Sequence, residues 1–334
     1  MKKSASLFKI IRLLIGLGLL AIVIKQLDFA KIKDVSSLAL QHPQYLIIAT
    51  LMTFLGLFSG VIRWWRILKG MGFDFSFTYV FNLTFISQFF NTFMPGACGG
   101  DIVKAYYVSK ECKEGLRVQA ATTVFADRLI GLFSLIFFCC GMIALRLGYF
   151  LSSKETKLMG LLMLFFFAGS ILGFIVFFKL NVFEKWSLFR KIETKFKFGV
   201  LIRRAYEALY AFSKSPGLLF NSIIYSLLNM VFLTLAIVFF GKALDIPVST
   251  IDYFTVFPII TVLSAVPISP GGLGLREGLF LSLFSTFGIA YESSFALSFL
   301  GYLAGVFWGV FGWILYIQHS SNSDISLREE LKKL

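Results

Sequence analysis

Long uncharged runs dominate the chain. Residues 43–62, 158–178, 215–241 and 293–319 contain no Asp, Glu, Lys or Arg. Each reaches the roughly 20 residues that a helix needs to cross a bilayer. Two more runs are interrupted, 7–24 by Lys9 and Arg12, and 118–145 by Asp127 and Arg128. A third kind, 75–100 and 253–275, ends in Gly/Pro-rich turns instead of polar loops. The pattern predicts an all-α membrane protein with spanning helices at 7–26, 43–62, 118–145, 158–178, 216–241 and 293–318.

Composition removes the soluble alternative. The 334 residues are 57% hydrophobic and only 15% charged, with 41 Phe, against about 25% charged residues in soluble domains. The net charge of +14 sits mostly between the apolar runs, where it orients helices and meets anionic headgroups. It does not indicate nucleic acid. Lys2 and Lys3 precede an apolar run with no convincing small-x-small cleavage site, so this segment reads as a retained anchor. The four cysteines lack metal spacing, predict neither disulfides nor a metal site, and read as inert small hydrophobes. No cofactor is expected.

Basic residues face the cytosol. Lys2, Lys3, Lys9 and Arg12 place the N-terminus inside, and the return of 43–62 places Arg63, Arg66 and Lys69 inside. The very basic segment 181–214, with aromatic and aliphatic residues at helical spacing, also belongs inside as an amphipathic surface segment. Three apolar stretches separate it from Arg63, so one must fail to cross. Residues 75–116 are the candidate, because Pro95-Gly96 and Gly99-Gly100 break the helix. The same logic makes 253–291 a second hairpin, broken near Pro270-Gly271 and entering from the opposite face. The expected fold is therefore six spanning helices plus two oppositely oriented re-entrant hairpins in an inverted repeat, an arrangement that places substrate where broken helices meet. The tail 320–334 reads as cytosolic, with a capping-box pattern at Ser326-x-x-Glu329.

A charge near the bilayer centre is costly, so Asp127 and Arg128 read as functional, pointing about 100° apart toward different partners; snorkelling to the interface is the alternative. A helix starting near Gly100 presents amides that attract anions, with Lys104 one turn inside; Asp101 serves there as a charge or as a simple N-cap. The second turn carries Gly272, Gly274, Arg276 and Glu277, where Arg suits phosphate and Glu277 holds it or takes a proton. Gln88 and Asn91, three apart, share a face that lines a cavity or bonds across helices. Arg63, Trp64, Trp65 and Arg66 read as interface anchors. Two histidines and no nucleophile–base set leave little for an intramembrane enzyme.

These residues resemble the flippase-like family named for the transmembrane part of bacterial lysylphosphatidylglycerol synthases. The likeness rests on Arg63-Trp-Trp-Arg66, Pro95-Gly96…Gly99-Gly100-Asp101, Asp127-Arg128-x-x-Gly131 and Pro270-Gly-Gly-Leu-Gly-Leu-Arg276-Glu277. It implies movement of an anionic, aminoacylated or polyprenyl-linked lipid between leaflets of a cell membrane. No soluble aminoacyl-transferase domain is expected in this chain, so lysyl transfer is not implied. The expected partners are membrane lipids, anionic or phosphate-bearing, with an oligomer left open. An enzyme or enzyme subunit acting on lipid-linked phosphate, or a membrane scaffold, is the alternative.

Overall fold

The computed structural model describes residues 18, 20–93, 99–179, 206–207, 209–210, 214–266, 272 and 274–322. Among them there is no strand, residues 20–25 are helical, and eleven further α-helices have both ends described: α1 Phe29–Gln41, α2 Pro43–Gly70, α3 Phe77–Phe93, α4 Gly99–Lys110, α5 Arg117–Leu145, α6 Leu147–Ser152, α7 Lys154–Lys179, α8 Pro216–Ala243, α9 Thr250–Ala265, α10 Leu275–Ser285 and α11 Tyr291–Asn322. Five stretches are long and apolar enough to cross a membrane: Pro43–Gly70, Glu114–Leu145, Thr156–Gly173, Pro216–Ala243 and Tyr291–Gln318. The expected span 7–26, the segment 181–214 and the tail 320–334 lie largely outside the described residues. The first three residues of that tail belong to α11 instead.

Eight of these helices fall into two matching sets, α2–α5 and α8–α11. Local chemistry repeats between them at one constant offset. α2 and α8 both begin with Pro at the first helical turn, where the missing N–H costs nothing. Both end in a Schellman turn. Phe73 N–H bonds Leu68 O and Gly72 N–H bonds Lys69 O, while Ile246 N–H bonds Gly241 O and Asp245 N–H bonds Lys242 O. The residue in the left-handed position is Gly72 in the first set and Asp245, at φ 50°, in the second. Ser76 then accepts from Tyr79 N–H and Ser249 from Asp252 N–H, capping α3 and α9.

The two long repeat helices pack together more extensively than any other pair, and they run antiparallel. Gly56 lies against Leu233 and Asn229, Arg63 reaches Ser226, and Gly70 lies against Leu218. Gly56 and Gly60 let the backbones approach, and Asn229 Nδ2 donates to Gly56 O at 2.6 Å, a small-residue contact reinforced by one polar bond. The shorter helices then cross between sets: α3 packs on α11, and α9 on α5. At Gly312 an added Cβ would sit 1.9 Å from Phe85 O, so that crossing also requires a glycine. A stack of Phe54, Phe85, Trp308 and Phe311 fills the space beside it.

Candidate functional site

Lipid-like exteriors do not explain why charges lie inside the α2–α4–α5–α8 contact. Arg63 forms a two-pronged pair with Asp127, Nε to Oδ1 at 2.7 Å and Nη2 to Oδ2 at 3.1 Å. Its remaining Nη1 donates to Ser226 Oγ at 2.9 Å. A planar guanidinium suits this geometry, since two parallel bonds meet one carboxylate. Gly131, one turn beyond Asp127, leaves the space: a Cβ there would lie 3.1 Å from Arg63 Nη1.

Lys104 approaches the same carboxylate, Nζ to Oδ2 at 3.9 Å. It also lies 3.8 Å from the centre of the Trp64 ring, a cation–π contact. Trp64 is fully buried and donates to Thr123 Oγ1 at 3.1 Å. Among the described residues the Lys104 ammonium makes no hydrogen bond, although it is buried. Two cations therefore share one carboxylate. Uncompensated charge inside a helical bundle is expensive, and the Trp64 ring and the distant Asp127 oxygen give this ammonium no hydrogen-bond acceptor among the described residues.

The expectation that Arg63 and Trp64 anchor at the headgroups is corrected. Trp64 is in the core, Arg63 is almost enclosed, and α2 continues to Gly70. Asp127, remote in sequence, neutralises Arg63, and Thr123 satisfies the indole. The neighbours differ: Trp65 is partly buried, donating to Phe75 O and covered by Lys69, while Arg66 is exposed and lies over Tyr225.

Asp127 and Arg128 face different partners. Arg128 turns to Asp101 at the start of α4, with Nε to Oδ2 and Nη2 to Oδ1 both at 2.7 Å. The α4 terminus is less open than its glycines suggest. Gly100 N–H already donates to Asn91 Oδ1 at 2.9 Å, so Asn91 rather than Asp101 supplies this bond. A Cβ on Gly100 would sit 2.0 Å from Ser87 O, which fixes glycine where α4 turns back on α3. Gln88 does not join Asn91. It lies beside Gly305 of α11.

The second break is built similarly and charged differently. Gly272 and Gly274 hold φ values of 73° and 79°, the left-handed region glycine enters freely. Glu277 is buried, accepts from Gly274 N–H at 2.7 Å and pairs with Arg276. Arg276 Nε also donates to Ser298 Oγ at 3.2 Å, and its guanidinium lies 5.2 Å from the Tyr302 ring centre. On α11, Ser298, Tyr302, Gly305, Gly309 and Gly312 recur at helical spacing. That stripe receives Arg276 at one end and α3 at the other, so both broken segments meet α11 on adjoining turns.

Pro95, Gly96, Pro270 and Gly271 lie outside the described residues. Gly99 opens α4. Among the described residues no group of three His, Cys, Asp or Glu side chains could hold a metal. Burial and the neighbouring Glu111 push the Cys112 thiol up in pKa, away from a reactive thiolate. Ser226, Thr123, Ser298 and Tyr302 were not singled out by sequence. Small polar residues within long apolar runs were the only hint.

Among the described residues, the fold is two broken pairs, a buried Asp–Arg–Lys cluster and long apolar helices. The sequence profile of the lysylphosphatidylglycerol synthase TM region matches residues 9–316. The chain belongs to that family. It is also similar to UPF0104 membrane proteins of three organisms. For that of Pyrococcus horikoshii the identity is 26% over 278 residues, covering 76% of this chain and 80% of the relative. For Methanocaldococcus jannaschii it is 27% over 277 residues, covering 78% and 80%. For Methanothermobacter thermautotrophicus it is 24% over 310 residues, covering 86% and 88%. This family member is a multi-pass membrane protein.

Proposed function

We propose that the chain is a lipid flippase that moves a phosphate-bearing lipid between the two leaflets of a cell membrane, with both termini in the cytosol. The observation that carries this reading is the surplus positive charge at Lys104, where Arg63 already occupies the buried Asp127 carboxylate. A bilayer protein gains nothing in stability from such a group. An anionic headgroup would complete it.

In this reading α3–α4 and α9–α10 are the two re-entrant hairpins, entering from opposite faces, and six helices span. The antiparallel contact of α2 with α8 supports the inverted repeat, because a two-fold axis in the membrane plane reverses every equivalent helix. The headgroup is held by side chains rather than by the bare helix termini, since Asn91 and Glu277 already use one amide at each. Lys104 and Arg128 take the phosphate on one side and Arg276 takes it on the other. Asp101, Asp127 and Glu277 hold these cations in position or exchange with the phosphate. Acyl tails stay in lipid as the two sets rock about the α2–α8 contact.

The test is reconstitution into vesicles with tail-labelled phosphatidylglycerol, phosphatidylethanolamine and a polyprenyl phosphate. Movement of at least one of these faster than in protein-free vesicles is expected, and slower movement with Arg128→Ala and Arg276→Ala. Equal rates with and without protein for all three would defeat the reading. Chemical conversion of a lipid by the purified protein would replace it with an enzymatic one.

A further inference from the structure

The structure indicates where a headgroup would leave the lipid. On α5, Phe125, Arg128, Leu129 and Leu132 are all exposed. Their spacing puts them on one face, and three of the four are large and apolar. Arg128 is therefore a cation on a stripe otherwise suited to acyl chains. It lies roughly 16 Å along the helix from Arg117 at ~1.5 Å per residue, about half the ~30 Å hydrocarbon thickness. It does not snorkel away, because both prongs engage Asp101 on α4. Beside Asp101, Ile102 is also exposed and apolar.

Behind this pair the charges continue inward. Side-chain exposure falls from 54% at Arg128 to 15% at Asp101 and 6% at Lys104. Asp101 and Lys104 are three apart on α4 and share a face, and Lys104 faces the Asp127–Arg63 pair. The arrangement runs from a lipid-facing guanidinium to a buried ammonium lacking a hydrogen bond. Alternating sign along it lets one anion replace another with little change in net local charge.

We propose that the seam between α4 and α5 is a lateral portal for an anionic phospholipid headgroup, latched by the Arg128–Asp101 pair. The phosphodiester takes the place of the Asp101 carboxylate on the Arg128 guanidinium while the tails lie along Phe125, Leu129 and Leu132. It then passes to Lys104. The portal rests on the flippase reading for its purpose, although binding at the seam is measurable without transport.

The experiment places a photo-crosslinking amino acid at Leu129 or, as a control on another exposed apolar face, at Phe165 of α7. The full-length protein is held in nanodiscs containing phosphatidylglycerol or only phosphatidylcholine. The expected result is several-fold more crosslinking to phosphatidylglycerol at Leu129 than at Phe165, little preference with phosphatidylcholine, and loss of the excess in Arg128→Ala. Arg128→Lys keeps part of it, and Asp101→Asn increases it by opening the latch. Inorganic phosphate added to the buffer should not compete. Equal crosslinking at both faces, or an excess indifferent to Arg128→Ala, would overturn the portal. Competition by inorganic phosphate would reassign the site to a soluble anion. Transbilayer movement without the crosslinking excess removes the portal alone, whereas the excess without movement removes the transport reading and leaves the portal standing.

Discussion

The two broken helix pairs share a backbone plan but differ in how their charges are balanced. At the first, Arg63 and Lys104 converge on Asp127 while Arg128 pairs with Asp101. At the second, Arg276 is matched by Glu277 next to it, with Ser298 and Tyr302 alongside. The second break is electrically closed on itself; the first keeps one cation in excess. A repeated fold thus supplies the break, and a few substitutions decide which copy has unmet binding capacity. Structure alone would favour closing both.

The largest contrast concerns the carboxylates. Asp127→Asn strands two buried cations and should lower stability by about 3–5 kcal/mol. Glu277→Gln keeps an acceptor for Gly274 N–H and loses only a partly exposed pairing, for about 1 kcal/mol. Thermal unfolding in detergent, followed by size-exclusion profile, ranks them. Comparable losses would mean that the first cluster is no more strained than the second.

The glycines give the next contrast. Gly100→Ala drives a methyl into the Ser87 carbonyl at 2.0 Å, forcing α3 and α4 apart at a cost of about 3 kcal/mol. Gly278→Ala meets only Val23 Cγ2 at 3.8 Å, ordinary contact, and should change stability by less than about 0.5 kcal/mol. The same unfolding assay separates them.

Neutralising the cations sharpens the comparison through its sign. Lys104→Met keeps a long side chain on Trp64 and leaves Arg63 and Asp127 matched, so stability should be unchanged or up to about 1 kcal/mol higher. Arg276→Met leaves Glu277 without its cation and should cost about 1 kcal/mol. Arg66→Gln, exposed beside the buried pair, is the smallest effect, within about 0.5 kcal/mol. A clear loss of stability in Lys104→Met would mean that Lys104 is structural.

Helix content was readable because spanning helices need uncharged length; five stretches of described helix match that pattern. The breaks were readable from Pro and Gly, and Asp127, Arg128 and Lys104 from their position within or beside apolar runs. Arg63 was not. Adjacent Trp and Arg at the end of a run look the same whether they meet headgroups or turn inward, and the partner that decides is Asp127, remote in sequence. Capping by Asn91 was equally hidden, since a side chain crossing from α3 to α4 leaves no local signature. The repeat was legible only faintly at Pro95-Gly96 and Pro270-Gly271. Its clearer markers are paired Pro at helix starts, paired Ser caps, and matched Schellman turns in which Gly72 and Asp245 occupy one role. A left-handed residue other than glycine conceals that equivalence.

The most direct test compares wild type with Lys104→Met in sealed vesicles containing tail-labelled phosphatidylglycerol, after equal folding of the two is established. Transbilayer movement is read from the label protected against a membrane-impermeant reductant. The expected outcome is movement well above protein-free vesicles for wild type and near that baseline for Lys104→Met, although the variant is at least as stable. Equal movement in both would contradict a headgroup site at the surplus cation.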